Sequence, residues 1–436
     1  MPSVALYTLG CKVSQYETEA VAERFAERGF TVLSHTERAD VYVINTCTVT
    51  AESDRKSRQV IRRLRGQNPD AVVAVMGCYS QRAPEDIAAV GADIIVGTEN
   101  KLSVVERACE MLAGGARGYL SVTELTGAAF EPMTVKSAPR TRAYVKIEDG
   151  CESKCTYCAI SAARGPVRSK PREDVIREVE ALSKSGVREI VLTGIETGSY
   201  GRDFGNGYGL AELISELDSR GSAERIRLGS LAPELIGRSF AERVAGAASL
   251  APHFHLSVQS GSDRVLAGMK RRYNRGMVLE NIAALKENIP GVRFTTDLMV
   301  GFPGESDEDF LDTVSLLSEV GFISAHVFAY SKRAGTPAAS YSGQIPEAVK
   351  RERSAELIRA SREVRDGVLD ELVRLGKPLD CILETYDGKG YSAHSGEFAE
   401  VCIPLPRGYE GERVEAMPIS HEDGIIIAKA IGSLDS

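Results

Sequence analysis

The chain contains no tryptophan, and aromatic residues make up 6% of its 436 positions. Any base stacking would therefore fall to Tyr, Phe, His or Arg. Only six histidines occur, and none form a ligand-spaced pair. No stretch approaches the ~18 continuous apolar residues of a membrane helix. The start, MPSVALYTLGCKVSQ, lacks a basic segment ahead of an apolar run, so no secretory leader is expected and the expected location is cytoplasmic. Positive charge is not in excess: Lys plus Arg is 53 against 61 for Asp plus Glu, a net charge of -8. A globally basic nucleic-acid binder is excluded, while a local basic face is not. Hydrophobic residues at 43% and charged residues at 26% are the balance of a globular protein. What is present in an odd number is cysteine, nine of them. In a long chain expected to be cytoplasmic, that count favours metal or redox chemistry over a disulfide framework.

The length implies more than one domain. From residue 1 to 113, short apolar runs (SVALYTLG, VYVINT, AVVAVMG, DIIVG) alternate with helical patterns at 14–29, 51–65 and 84–89. That alternation predicts an α/β unit with a doubly wound parallel sheet. Residues 114–138 read as a linker with one strand at 118–122. From 139 to 372, six strand candidates (AYVKI, REIVLTG, RIRLGSL, HFHLSVQ, VRFTTDLMVG, ISAHVFAY) alternate with helices, which predicts a partial (βα)6 barrel. A long charged helix, Glu347–Leu375, follows. Residues 373–436 hold short strands and an Asp387-Gly388-Lys389-Gly390 turn, which predict a small β-barrel. Such barrels bind nucleic acid or serve as structural caps. The eleven carboxylates of this segment weaken the first reading.

Cys151-Glu-Ser-Lys-Cys155-Thr-Tyr-Cys158 is the sharpest motif. Chance predicts roughly 0.004 such triplets at this cysteine content, so coincidence is a poor explanation. Zinc would recruit a fourth Cys or His, and the next histidine is the distant His253. Three thiolates on an iron–sulfur cubane instead leave one iron open to a small molecule. The loop follows AYVKI, at the carboxyl mouth of the barrel, where active sites of such barrels form. A second set, Cys11, Cys47 and Cys78, follows three strands of the first domain. In a parallel sheet these ends share one edge, so the three can converge. The alternative is three buried cysteines used as small apolar residues. Cys109, Cys381 and Cys402 have no partners in spacing and read as packing residues.

With Tyr157 before its last cysteine, the Cys-x3-Cys-x2-Cys motif resembles the radical S-adenosylmethionine (SAM) superfamily. GCKVSQYETE (Gly10–Glu19), INTCTVT (Ile44–Thr50), MGC (Met76–Cys78), ARGPVRS (Ala163–Ser169), LTGIETGSYG (Leu192–Gly201), HLSVQSGS (His255–Ser262), GFPGE (Gly301–Glu305) and YSKRAGTPA (Tyr330–Ala338) resemble the methylthiotransferase family, in order along nearly the whole chain. The resemblance includes a C-terminal TRAM-like domain. GCKVSQYETE, TCTVT and LTGIETGSYG look most like the enzymes acting on N6-threonylcarbamoyladenosine beside the tRNA anticodon. Close relatives modify isopentenyladenosine in tRNA or an aspartate of a ribosomal protein. Outside this resemblance, a zinc-structured RNA-binding protein is the competing class.

The resemblance implies two [4Fe-4S] clusters, one on Cys151, Cys155 and Cys158 and an auxiliary one on Cys11, Cys47 and Cys78. It implies SAM, cleaved to a deoxyadenosyl radical, with Tyr157, Thr193, Gly194, Gln259 and Asp297 as expected cofactor-binding residues. Beyond the cluster cysteines no catalytic side chain is expected. The implied partners are tRNA, an electron donor and a sulfur source. Arg164, Arg168, Arg271, Arg272 and Arg333 are candidate phosphate or carboxylate partners, with a solvated surface charge as the expected state of each. Two basic runs could meet RNA: Arg55, Lys56, Arg58, Arg62, Arg63 and Arg65 on one helix, and Lys270, Arg271, Arg272 and Arg275 after the fourth barrel strand.

Overall fold

The apolar runs of the first third form strands because both of their faces are covered. In the computed structural model, which describes residues 1–137 and 141–431, Val41–Thr46 (β3) and Val72–Gly77 (β4) are buried at every position. With Ser3–Thr8 (β1), Thr31–Leu33 (β2), Ile94–Val96 (β5) and Tyr119–Ser121 (β6) they form a six-stranded sheet in the order β2-β1-β3-β4-β5-β6. All its pairings are parallel. Tyr16, Val21 and Phe25 of the helix Lys12–Glu27 cover one face over Val41 and Val43. Ile61 and Leu64 of the helix Ala51–Gln67 cover the other over Tyr42 and Ile44. Strand order reverses at β1, so the crevice between the ends of β1 and β3 is the switch point where such sheets place ligands. The strand expected at 118–122 hydrogen-bonds to β5, so the sheet continues past residue 113. The expected boundary at 138/139 and the last five residues of the chain lie outside the described residues.

Arg142–Lys146 (β7) opens the second unit. Glu148–Asp149 (β8) pairs antiparallel with Arg168–Ser169 (β9) and closes the base of the intervening cysteine loop. The barrel continues with Glu189–Thr193 (β10), Arg225–Leu228 (β11), Ser230–Leu231 (β12), His253–Gln259 (β13), Arg293–Val300 (β14) and Ser324–Ala329 (β15). These form two parallel arcs, β7-β10-β11 and β12-β13-β14-β15. The arcs meet where Gly229 separates β11 from β12. All six expected strands are present, and among the described residues β15 does not pair with β7.

Leu379–Tyr386 (β16), Tyr391–Ser395 (β17), Glu400–Ile403 (β18), Arg413–Glu422 (β19) and Ile425–Ala430 (β20) close into a five-stranded barrel. Its core includes Val368, Leu369 and Leu372 of the helix Glu347–Leu375, which ties it to the central unit. The small barrel covers the floor of the open one. Arg227 donates to the carbonyls of Ser395 and Gly396, both at 3.0 Å. Arg225 pairs with Asp380 at 2.7 Å, and His253 stacks on Phe398. This face of the C-terminal domain therefore has a structural role. No helix among the described residues is long and apolar enough to cross a membrane.

Candidate metal centre

Cys11, Cys47 and Cys78 lie at the carboxyl ends of β1, β3 and β4, around the switch point. Cys11 caps the helix Lys12–Glu27, and Cys78 opens the short helix Cys78–Arg82. Gly77 makes the turn between β4 and Cys78 with φ +105, and a Cβ there would lie 2.4 Å from Asn45 Oδ1. The three thiols are close enough to act on one another electrostatically: Cys47 feels Cys11, and Cys78 feels both. Burial pushes the Cys78 thiol up to about 12 and raises Cys47 as well. As free thiols they are poor nucleophiles at neutral pH. A metal taking them must displace their protons.

The second group sits on the loop between β8 and β9. Gly150, φ +93, brings this loop so close to its return that a Cβ would overlap the Pro166 carbonyl oxygen at 1.9 Å. Thr156 anchors the loop to the carbonyls of Met269 and Gly268. Cys158 feels Cys155, and Cys151 feels Cys158. Burial pushes Cys151 up to about 11. Arg271 donates from Nη1 to Cys155 Sγ at 3.4 Å.

Residues next to each group reach across the junction of the domains to the other. Arg164, after the second group, donates from Nε to Cys78 Sγ of the first at 3.1 Å. It is fully buried and pairs with Glu17 at 2.5 Å and Asp149 at 3.1 Å. Lys146 bridges the same carboxylates at 2.9 and 2.5 Å, and Lys101 reaches Glu17 at 3.3 Å. On the other side, Arg333 donates to Thr48 Oγ1 at 2.7 Å and pairs with Asp54 at 2.5 Å. Arg82 donates to the Ala334 carbonyl at 2.7 Å and feels Cys158.

Among the described residues, no three His, Cys, Asp or Glu side chains form the tight cage of a single ion. Two groups of three converging thiols beside buried guanidinium donors suit a multinuclear iron–sulfur core, whose irons take one thiolate each.

Thr193 ends β10 at the barrel mouth and Gly194 follows it, where a Cβ would lie 2.5 Å from Glu148 Oε2. Gln259 ends β13 with φ 70, beside an irregularity in the pairing with β14. Tyr157 packs under Arg271, whose guanidinium lies 6.0 Å from its ring centre. Asp297 lies deeper, three residues before the end of β14, and accepts from His255 at 3.1 Å and His326 at 3.3 Å. These residues thus divide between the mouth and the lumen.

Sequence reasoning missed the acidic side of the mouth. Glu148 is buried, its pKa raised well above the carboxylate range by desolvation, and its Oε1 has no partner. Glu196, three residues after Thr193, is pushed up to about 7 by burial. Glu234 Oε2, Thr197 Oγ1 and Arg271 Nε are likewise buried without partners. A cradle of carboxylates with a guanidinium beside it fits a zwitterionic amino acid moiety such as the methionyl part of SAM. The position of Glu196 just past a strand end was the available signal.

The arginines correct another expectation. Arg164, Arg168 and Arg333 are buried and Arg271 is half-buried; only Arg272 is exposed. Arg168 donates to the Arg164 carbonyl at 2.8 Å. On the helix Ala51–Gln67, Arg55 pairs with Glu52, Arg58 with Tyr79 and Arg65 with Asp93, while Lys56, Arg62 and Arg63 are exposed, Arg63 with its guanidinium over the Tyr7 ring. In the second run Arg275 is held by Glu319 and the Asp312 carbonyl. Cys381 lies in the core of the small barrel, and Cys109 packs against the main core.

Residues 145–317 match the radical SAM superfamily, and residues 3–97 match a family described as uncharacterized protein family UPF0004. The threonylcarbamoyladenosine tRNA methylthiotransferase MtaB of Bacillus subtilis is 43% identical over 375 residues, 84% of this chain and 81% of that one. The Thermotoga maritima protein of the same name is 35% identical over 399 residues, 91% and 90% of the two chains. A tRNA-2-methylthio-N(6)-dimethylallyladenosine synthase of Acetivibrio thermocellus is 35% identical over 382 residues, 85% and 79%. In fold, the radical SAM methyltransferase TsrM of Kitasatospora setae superposes with a TM-score of 0.58 at 17% identity, covering 78% of this chain and 77% of that one.

Proposed function

Because the chain belongs to the methylthiotransferase family of radical SAM enzymes, we propose that it transfers a methylthio group to carbon 2 of N6-threonylcarbamoyladenosine beside the tRNA anticodon. The observation that carries this reading is the pair of three-cysteine groups at one domain junction, with Arg164 of the barrel loop donating to Cys78 of the sheet. Carbon 2 of adenine is an unactivated aromatic C–H, which no side-chain acid or base removes at neutral pH. When bound, two [4Fe-4S] clusters and SAM supply hydrogen-atom abstraction and the sulfur and methyl to be transferred.

The chain's own residues bind, orient and shield. Cys151, Cys155 and Cys158 would hold one cluster and Cys11, Cys47 and Cys78 the other. Glu196, with Glu148 behind Gly194, takes the methionyl ammonium. Arg271 braces Cys155 while Tyr157 and Tyr273 cover its guanidinium. Thr193, Gly194 and Gln259 shape the mouth, and Asp297 fixes the histidines of the lumen. Lys56, Arg62 and Arg63 present charge to the tRNA backbone. An electron donor and a sulfur source complete the set of partners, and the setting is the cytoplasm.

The identity of 43% to a threonylcarbamoyladenosine enzyme, against 35% to a dimethylallyladenosine one, supports the first substrate over the second. Nucleoside mass spectrometry of tRNA from a strain lacking this chain tests the reading. Loss of 2-methylthio-N6-threonylcarbamoyladenosine supports it, and unchanged nucleosides overturn it.

A further inference from the structure

Lys12 is the first residue of the helix that Cys11 caps. A cation at this end opposes the helix dipole. The side chain is half-buried and makes no hydrogen bond or ion pair among the described residues. Its electrostatic neighbours stand on five barrel strands: Arg142 of β7, Glu189 of β10, Arg227 of β11 and Asp297 of β14, with His253 of β13 also within its field.

Neither carboxylate in that set is free to answer it. Glu189 accepts from Arg225 at 3.2 Å and from Arg227 at 2.9 and 3.1 Å, and it pairs with Arg142 at 3.2 Å. Asp297 is held between His255 and His326. The lumen around them is accessible, His326 being 73% exposed. An ammonium that breaks a local rule, lacks a counter-ion and borders an open cavity is a binding group waiting for an anion.

We infer that Lys12 grips the carboxylate of the threonylcarbamoyl group and thereby sets the substrate choice of this enzyme. The inference rests on the proposed function. Carbon 2 and carbon 6, which carries the exocyclic N6, lie in the same ring of adenine, one nitrogen apart. A base that presents carbon 2 to the Cys11 group brings its N6 substituent within reach of a side chain one residue away. An isopentenyl substituent offers no charge, so it would leave the ammonium unpaired and disfavour the wrong base.

The test is equilibrium binding of anticodon stem-loop RNA to the cluster-loaded protein, without reductant, followed by fluorescence anisotropy. Four RNAs are compared, carrying N6-threonylcarbamoyladenosine, its carboxamide analogue, isopentenyladenosine or plain adenosine. The expected result is binding of the carboxylate form roughly tenfold or more tighter than the carboxamide, the scale of one charge-assisted hydrogen bond. Lys12→Met and Lys12→Gln each bring the two within about twofold, and Lys12→Arg retains most of the preference, with iron and sulfide unchanged in all three. Equal binding of carboxylate and carboxamide forms by the unaltered protein overturns the inference without any variant. So does a preference that survives in Lys12→Met or Lys12→Gln. A protein that does not prefer the threonylcarbamoyl form over plain adenosine contradicts the functional reading itself.

Discussion

Arg164 Nε lies 3.1 Å from Cys78 Sγ, so a residue of the barrel loop braces a thiol of the N-terminal sheet. The same guanidinium holds Glu17 and Asp149, which makes it the centre of a buried network spanning both domains. Arg164→Gln leaves those carboxylates short of a partner. Breaking such a buried pair costs about 3–5 kcal/mol, to be read by thermal unfolding. Hydrogen bonds to sulfur also set cluster potentials. In a background lacking Cys151, Cys155 and Cys158, the auxiliary cluster of Arg164→Gln is expected to titrate at a more negative potential by electron paramagnetic resonance.

The two thiol groups are independent in their ligands. Alanine at Cys11, Cys47 and Cys78 is expected to remove about half of the iron and acid-labile sulfide and to preserve SAM binding. Alanine at Cys151, Cys155 and Cys158 is expected to remove the other half and abolish SAM binding. Iron analysis and equilibrium dialysis distinguish the two.

Burial holds Glu196 at about 7, above its ordinary 4.5. The fold therefore binds an extra proton between these values, and stability falls as pH rises through that window and levels off above it. In cluster-loaded protein without SAM, Glu196→Gln removes this slope and gains up to about 3 kcal/mol near pH 8. SAM binding moves the opposite way. It strengthens from about pH 6 to pH 8 in the unaltered protein as the carboxylate ionises to meet the ammonium. In Glu196→Gln it is weaker and flat with pH.

Lys56, Arg62 and Arg63 are exposed on one helix next to the Cys47 loop. Each phosphate they neutralise adds roughly 0.7–0.9 to the slope of log affinity against log salt. The triple alanine variant is expected to flatten that slope by roughly 2 and to weaken tRNA binding, with iron content unchanged. An unchanged slope assigns these residues to solubility alone.

The elements that depend on local pattern were legible from residues alone. The helix Glu347–Leu375 and the six barrel strands follow from periodicity and from Gly and Pro punctuation. The Cys151 group was legible as a contiguous motif, and Cys11, Cys47 and Cys78 because strand ends of one sense share an edge. Pairings between distant residues were not. Arg164 and Glu17 are 147 positions apart, and only the packing of two domains turns an expected surface arginine into a buried one. Glu148 and Glu196 escaped notice for the same reason, since the burial that raises their pKa values is encoded by no spacing. Lys12 sat inside a recognised motif, but its place near the charges of the barrel strands depends on where the whole helix docks.

The most direct test is to express the chain in a host whose tRNA carries N6-threonylcarbamoyladenosine but lacks its methylthio form, and to measure tRNA nucleosides by mass spectrometry. The expected result is appearance of 2-methylthio-N6-threonylcarbamoyladenosine with the unaltered chain, and none when either cysteine group is replaced by alanine. Product formed without the Cys11, Cys47 and Cys78 group, or a methylthio group appearing on isopentenyladenosine instead, would contradict it.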